Sequence, residues 1–317
     1  MGETVSIERI AEAAEVVDPV FLHSPQYLSR SLSEKLDVWT ILKVECVNPI
    51  RSFKGRGTEY LLHRIEAPAT GFVCASAGNF GQGMAYAARK RGHRITVFAA
   101  TNASQMKVAR MRALGAEVVL AGEDFDAAKE AARVHADATG AMFVEDGSLA
   151  PIAEGAGTIA LELTSMGMPL DAVIVPLGDG ALVTGIGAWI RHGDPRTRII
   201  GVVAEGAPAM ELSWHAGAAV ATERVDTIAD GIAVRVPVPS AVEDVRHAVD
   251  DVMHVSDVEI IDGMRALFQE EGLVVEPAGA AGLAAVKKLA DELSGWRVAV
   301  IVTGSNISPD VFERLIG

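Results

Sequence analysis

Residues 172–187 read AVIVPLGDGALVTGIG. The run 172–176 is apolar without polar alternation, which is how a strand buried on both faces reads. Gly178, Asp179 and Gly180 then make a turn, and a helix-compatible stretch follows. Strand, glycine turn and helix open a βαβ unit. Working outward, further strand-like runs lie at 38–44, 72–75, 95–99, 117–120, 199–203 and 297–302. Helix patterns lie between them at 55–65, 81–90, 104–114, 126–139, 155–166, 258–269 and 278–293, and the acidic N-terminal stretch reads as an amphipathic helix. This alternation predicts an α/β fold of two lobes, each an open parallel sheet with flanking helices. Boundaries near Pro68 and within 146–151 assign 69–146 to a small α/β lobe, and 1–68 with 147–317 to a large one. The Gly- and Pro-containing segment 205–239 is expected to wrap the outside of the large lobe.

The chain has 317 residues, half of them hydrophobic, and a formal net charge of −14. That is enough apolar material for one large core or two modest ones. The acidity argues against nucleic acid or an anionic membrane as the partner. No apolar stretch reaches the roughly 20 residues that span a bilayer, and the N-terminus lacks the basic start of a signal peptide. Two cysteines, Cys46 and Cys74, cannot build a disulfide framework, which points to a reducing cytoplasm. Zinc-type motifs such as CxxC and HExxH are absent from the sequence.

Four places at predicted strand ends carry chemistry. Lys54 stands in NPIRSFKGRG, residues 48–57, just before a helix. An amine there, partly desolvated and beside the positive end of a helix, is expected to have a lowered pKa and to form a Schiff base. SAGNFGQG, residues 76–83, opens a helix after a strand, and its exposed N–H groups suit a carboxylate. The 178–187 glycines let a backbone approach a phosphate, but Val183 breaks the Gly-x-Gly-x-x-Gly dinucleotide pattern, so one phosphate fits better than a pyrophosphate. Thr303 follows the last strand, where ligands of open α/β sheets sit. An imine-forming lysine, a carboxylate loop, a one-phosphate loop and a terminal hydroxyl together describe a site for pyridoxal phosphate and an amino acid.

On these residues the chain resembles the fold type II pyridoxal-phosphate enzymes, in particular the threonine/serine dehydratase branch. Residues 52–57 resemble its lysine motif and 76–79 its asparagine loop. Residues 151–158, 227–234 and 276–280 resemble three further blocks, in the family's order. The resemblance implies that Lys54 holds the cofactor and takes the Cα proton, with Phe53 beside the ring. It implies that Asn79 bonds the cofactor's 3′ oxygen, that Gly178, Asp179, Gly180 and Ala181 hold the phosphate through backbone N–H groups, and that Thr303 meets the pyridine nitrogen. Ser76, Ala77 and Gly78 would bind the substrate carboxylate, with Phe80 shaping the side-chain pocket. Glu205 and Glu211 fall where relatives place acidic ligands for a monovalent or divalent cation.

Three departures stand out. Phe80 replaces the family's usual histidine, which favours a larger or more apolar β-substituent. Asp179 stands in a phosphate loop that is usually nearly all glycine, so its side chain is expected to point away, leaving only its N–H in use. Ala77 replaces the serine that related racemases use as a second base.

The implied activity is α,β-elimination from a β-hydroxy amino acid, with L-threonine and L-serine as the default substrates, giving a 2-oxo acid and ammonia. The cofactor's phosphate would serve as acid for the leaving hydroxide. Alternatives are 3-hydroxyaspartate or 3-phenylserine as substrate, or β-replacement of the cysteine synthase type. A nucleotide-dependent oxidoreductase and a non-catalytic binding protein are opposed by the broken dinucleotide pattern and by the intact Lys54. Relatives are usually dimers or tetramers, so a homo-oligomer is expected. The chain stops soon after Asn306, so neither a C-terminal regulatory domain nor control by isoleucine is expected.

Overall fold

A computed structural model of the chain describes residues 4–76 and 78–317. Ten strands occur in the order β1 (Gln26–Leu28), β2 (Trp39–Val44), β3 (Phe72–Ala75), β4 (Ile95–Ala99), β5 (Glu117–Leu120), β6 (Met142–Val144), β7 (Ala172–Pro176), β8 (Arg198–Ala204), β9 (Asp251–Val255) and β10 (Arg297–Val302). The helices are α1 (Ile7–Val16), α2 (Arg30–Leu36), α3 (Lys54–Arg64), α4 (Asn79–Arg91), α5 (Gln105–Ala113), α6 (Phe125–Thr139) and α7 (Ala150–Ser165). They continue with α8 (Ala181–Gly193), α9 (Ala209–Ala216), α10 (Pro239–Ala248), α11 (Asp257–Glu271), α12 (Pro277–Lys288) and α13 (Pro309–Ile316).

The strands form two sheets. One has six strands in the order β1-β2-β10-β7-β8-β9, and the other has four in the order β5-β4-β3-β6. All pairings are parallel except β1 with β2. The central strands β7 and β10 are apolar and buried on both faces, as the sequence pattern predicts. The α/β class is therefore as expected. Three strands escape the apolar-run reading for a common reason. β1 and β6 are three residues long, and β9 is a half-buried edge strand that carries Asp251 and His254.

Helix α7 starts five residues earlier than the sequence pattern suggests, because Pro151 fits the first turn of a helix, where no N–H partner is needed. Its packing on α3 fixes where Lys54 points. A Cβ on Gly57 would lie 2.5 Å from the Ile152 carbonyl oxygen, and one on Gly155 would lie 2.4 Å from the Arg56 carbonyl oxygen. The two backbones therefore touch at glycines. Helix α7 is in turn packed against α8, so the Lys54 helix and the glycine-turn helix share one support.

Segment 205–239 differs from expectation. It contains α9, and its later part does not only wrap the outside. Residues 230–236 line the main cavity, Asp230 meets Lys107 of α5 at 2.7 Å, and Arg235 meets Asp126 of α6 at 2.7 Å. Charge pairing with the four-stranded sheet's helices draws it inward. No helix among the described residues is long and apolar enough to cross a membrane. Cys46 and Cys74 are both buried and unbridged.

Candidate active site

The carboxyl ends of β3, β6, β7 and β10 and the starts of α3, α4, α8 and α12 converge on a cavity of about 430 Å³. Phe53, Lys54, Ser76, Gly78, Asn79 and Phe80 line one part of it, and Gly178, Asp179, Gly180 and Thr303 another. Ala181 is buried beside them as the first residue of α8. Ala77 lies outside the described residues.

Lys54 begins α3 and reaches into the cavity. Its Nζ lies 2.5 Å from Asp146 Oδ2 and 3.2 Å from Asp179 Oδ2. It also lies 4.9 Å from the Phe53 ring centre and 5.9 Å from that of Phe80. The sequence-based expectation of a lowered pKa is overturned. Burial pulls the ammonium down, but Asp146 and Asp179 outweigh it and hold the group above the ordinary lysine range. Two carboxylates within bonding distance are stronger than the partial charge of a helix end.

Asp179 also departs from expectation: its side chain turns into the site. Oδ2 pairs with Lys54, while Oδ1 accepts the Ala181 N–H at 3.3 Å. A carboxylate partly removed from water favours a nearby cation, and Lys54 supplies one. Burial disfavours the charged Asp179, but Lys54 outweighs it and holds the carboxyl below the ordinary range. Asp146 goes the other way. Burial, with the nearby Asp179 charge, pushes its carboxyl up to about 7.

The asparagine loop is tied down from three sides. The Ser76 hydroxyl accepts the N–H of Gly78 at 3.0 Å and of Gly81 at 2.8 Å, so it caps the start of α4. Asn79 Nδ2 donates to Glu276 Oε1 at 2.6 Å, and Asn306 Nδ2 donates to Asn79 Oδ1 at 2.7 Å. Glu276 stands at the start of α12, 3.4 Å from Lys107 Nζ. Burial raises the pKa of Glu276, with Lys107 opposing the rise. The Phe53 N–H donates to the Thr303 carbonyl at 3.1 Å, which joins the lysine loop to the end of β10.

Glu205 and Glu211 lie away from this cavity. Glu211 faces His254 Nδ1 at 3.0 Å, and Glu205 lines a separate shallow pocket. No group of three or more metal-ligating side chains occurs among the described residues. Glu211's carboxylate is engaged with His254 on the edge strand β9.

Sequence reasoning missed Asp146, Lys107, Asp230 and the Asn79-holding role of Glu276. An acid two residues beyond the short apolar run of β6 was the available signal for Asp146.

The donor set fits a phosphorylated aldehyde. Lys54 supplies the amine, Phe53 a ring face, and Asn79 and Thr303 polar groups. The start of α8 already takes an anion, as the bond from Ala181 to the Asp179 carboxylate demonstrates.

Comparisons with known proteins agree with this geometry. Residues 19–304 match the family model described as "Pyridoxal-phosphate dependent enzyme". An L-threonine ammonia-lyase of Thermotoga maritima is 36% identical over 98% of this chain and 78% of its own length. An L-threo-3-hydroxyaspartate ammonia-lyase of a Pseudomonas species is 32% identical over 98% of both chains. The solved processed form of threonine deaminase isoform 2 from Solanum lycopersicum superposes with a TM-score of 0.90 at 27% identity, covering 99% of this chain and 94% of that one. The chain belongs to the family of pyridoxal-phosphate dependent enzymes.

Proposed function

We propose that the chain is a pyridoxal-phosphate-dependent ammonia-lyase that eliminates water from a β-hydroxy amino acid, with L-threonine and L-serine as first substrates. The observation that carries this reading is the Lys54 amine held inside a cavity between the anion-taking start of α8 and the asparagine loop. When bound, the cofactor supplies the electron sink for the substrate's Cα. Lys54 Nζ removes the Cα proton. Asn79, fixed by Glu276 and Asn306, would hold the cofactor's ring oxygen, while Thr303 would meet the ring nitrogen and Phe53 would flank the ring. Gly178, Asp179, Gly180 and Ala181 would present backbone N–H groups to the phosphate, with the Ala181 N–H released from Asp179 Oδ1. The Ser76–Phe80 loop orients the substrate carboxylate, and Ser76 acts by shaping that loop as its cap.

A second reading concerns the β-substituent. Phe80, Phe125 and Phe143 all line the cavity, which favours a bulky apolar group such as that of 3-phenylserine. A second substrate carboxylate is disfavoured. The described lining residues hold seven acids against the four cations Lys54, Lys107, Lys129 and Arg235. 3-Hydroxyaspartate is therefore expected to be the poorest of the β-hydroxy substrates.

We also infer a lobe division at 68/69 and 146/147, supported by the four-stranded sheet lying wholly within 72–144. A reducing cytoplasm is the accompanying reading, supported by two unbridged cysteines, and a homo-oligomer is proposed with it. The test of function is release of 2-oxo acid from L-threonine, L-serine, 3-phenylserine and 3-hydroxyaspartate by the loaded protein. Turnover of threonine or serine supports the first reading, and turnover of phenylserine alone supports the second. Release from none of them overturns both.

A further inference from the structure

Asp146 is an acidic cavity residue that none of the roles above uses. It follows β6, and the next residue, Gly147, has φ +80. A Cβ on Gly147 would lie 2.6 Å from the Asp179 carbonyl oxygen. A glycine is required both for that φ and for that approach, so the turn holding Asp146 is built directly against the Asp179 loop. Asp146 Oδ2 is 2.5 Å from Lys54 Nζ, while Oδ1 is buried and has no hydrogen-bond partner among the described residues.

The surroundings explain its proton. Lys54 of α3 and Asp179 at the start of α8 face it, and so does the Cys74 thiol of β3, which burial keeps neutral. Its neighbour Glu145 is turned to Lys129 and Arg133 of α6. One cation therefore serves two carboxylates, and the second negative charge has no partner. A carboxyl in that position keeps a proton near neutral pH and can give it up or regain it.

We propose that Asp146 is the general acid that protonates the departing β-hydroxyl, in place of the cofactor's phosphate. The inference rests on the elimination reading given above. Lys54 Nζ takes the Cα proton, and the electrons of the Cα–H bond become the Cα=Cβ bond. The Cβ–O bond breaks with its electron pair on oxygen, which takes the Asp146 proton and leaves as water. Lys54 loses its proton when its nitrogen rebinds the cofactor's carbon, and Asp146, 2.5 Å away, regains one, which restores both groups. No further reactant is needed.

The experiment compares wild type with Asp146→Asn and Asp146→Glu on two substrates, L-threonine and 3-chloroalanine, whose chloride leaves without a proton. With threonine, Asp146→Asn is expected to lower kcat by about 10²–10⁴-fold, with KM little changed. The fall in wild-type rate as pH rises through about 7 should vanish in the Asn variant. Asp146→Glu should recover part of the rate, and 3-chloroalanine should be turned over by Asp146→Asn at close to the wild-type rate. Independently of activity, infrared titration of the cofactor-free protein should reveal a protonated carboxyl band that disappears as pH rises through about 7 and is missing in Asp146→Asn. Wild-type rate and pH profile in the Asn variant, an equal loss on both substrates, or absence of the band would each overturn the proposal. A wild type inert towards both substrates would instead bring down the elimination reading on which it stands.

Discussion

Two buried charge clusters stand on helix α3, two residues apart, and they are built differently. Around Arg56 the charges balance. Its guanidinium makes paired contacts to Glu45 at 2.8 and 2.9 Å and to Glu162 at 2.6 and 3.0 Å, and it donates to Thr158 at 2.9 Å. Lys43 also pairs with Glu162. Arg56, Lys43 and Glu45 have no exposed surface. Around Lys54 the charges do not balance: one ammonium faces Asp146 and Asp179, whose side chains remain 15% and 29% exposed in the cavity. The balanced cluster holds Glu162 ionised. Burial opposes that state for Glu162, but Arg56 and Lys43 outweigh it and bring the group to about 2. The unbalanced cluster leaves Asp146 titrating near neutrality. Matched charges fix the helix, and a mismatched set next to them is left free to move protons.

The largest expected effect comes from breaking the matched cluster. Arg56→Met leaves Glu45 and Glu162 buried without their main partner and should lower folding stability by about 3–5 kcal/mol, read from the urea midpoint. Next comes the pH dependence of stability, where the clusters act with opposite sign. Glu162 stabilises the fold above its unperturbed 4.5, and this contribution is lost as pH falls towards about 2. Asp146 contributes fully below 3.8, and its contribution is lost as pH rises to about 7. Each can contribute up to about 1.4 kcal/mol per pH unit within its window. Asp146→Asn should therefore flatten the fall in stability between about pH 4 and 7 and leave the acid side unchanged, as measured by unfolding across pH.

A smaller effect sharpens the comparison from the other side. Asp179→Asn removes the like charge that helps raise Asp146. The descending limb of the rate profile should move to lower pH by about one unit, and a limb that stays put would assign it to another group. The smallest effect is expected at the rim. Arg235, 31% exposed, pairs with Asp126 across the cavity. Arg235→Gln should change stability by no more than about 1 kcal/mol, since such pairs are largely solvated.

Much of the fold was legible because central parallel strands are continuous apolar runs. The limits read for β3, β4, β5, β7 and β10 coincide with the observed ones. Edge strand β9 and the short β1 and β6 lack that signature, and the short α2, α9, α10 and α13 have little periodicity to read. The residues that line the cavity were legible where a glycine-rich turn meets a helix start, as at Lys54, Asn79 and 178–180. What was not legible is pairing over long sequence separations. Asp146 lies 92 residues from Lys54 and Asp179 lies 125 residues from it, so neither the raised lysine nor the inward Asp179 could be read locally. The pairing of Glu211 with His254 was hidden for the same reason, since His254 lies on a strand that only the fold brings near.

The most direct measurement sets the two clusters against each other through Lys54. Lys54→Ala and wild type, both supplied with pyridoxal phosphate, are assayed for 2-oxo acid and ammonia from L-threonine and unfolded in urea. The account predicts equal amounts of the two products from wild type and at least a 10³-fold loss in Lys54→Ala, which still unfolds cooperatively because the Arg56 cluster is intact. A Lys54→Ala protein that keeps its rate, or one that loses as much stability as Arg56→Met, would contradict it.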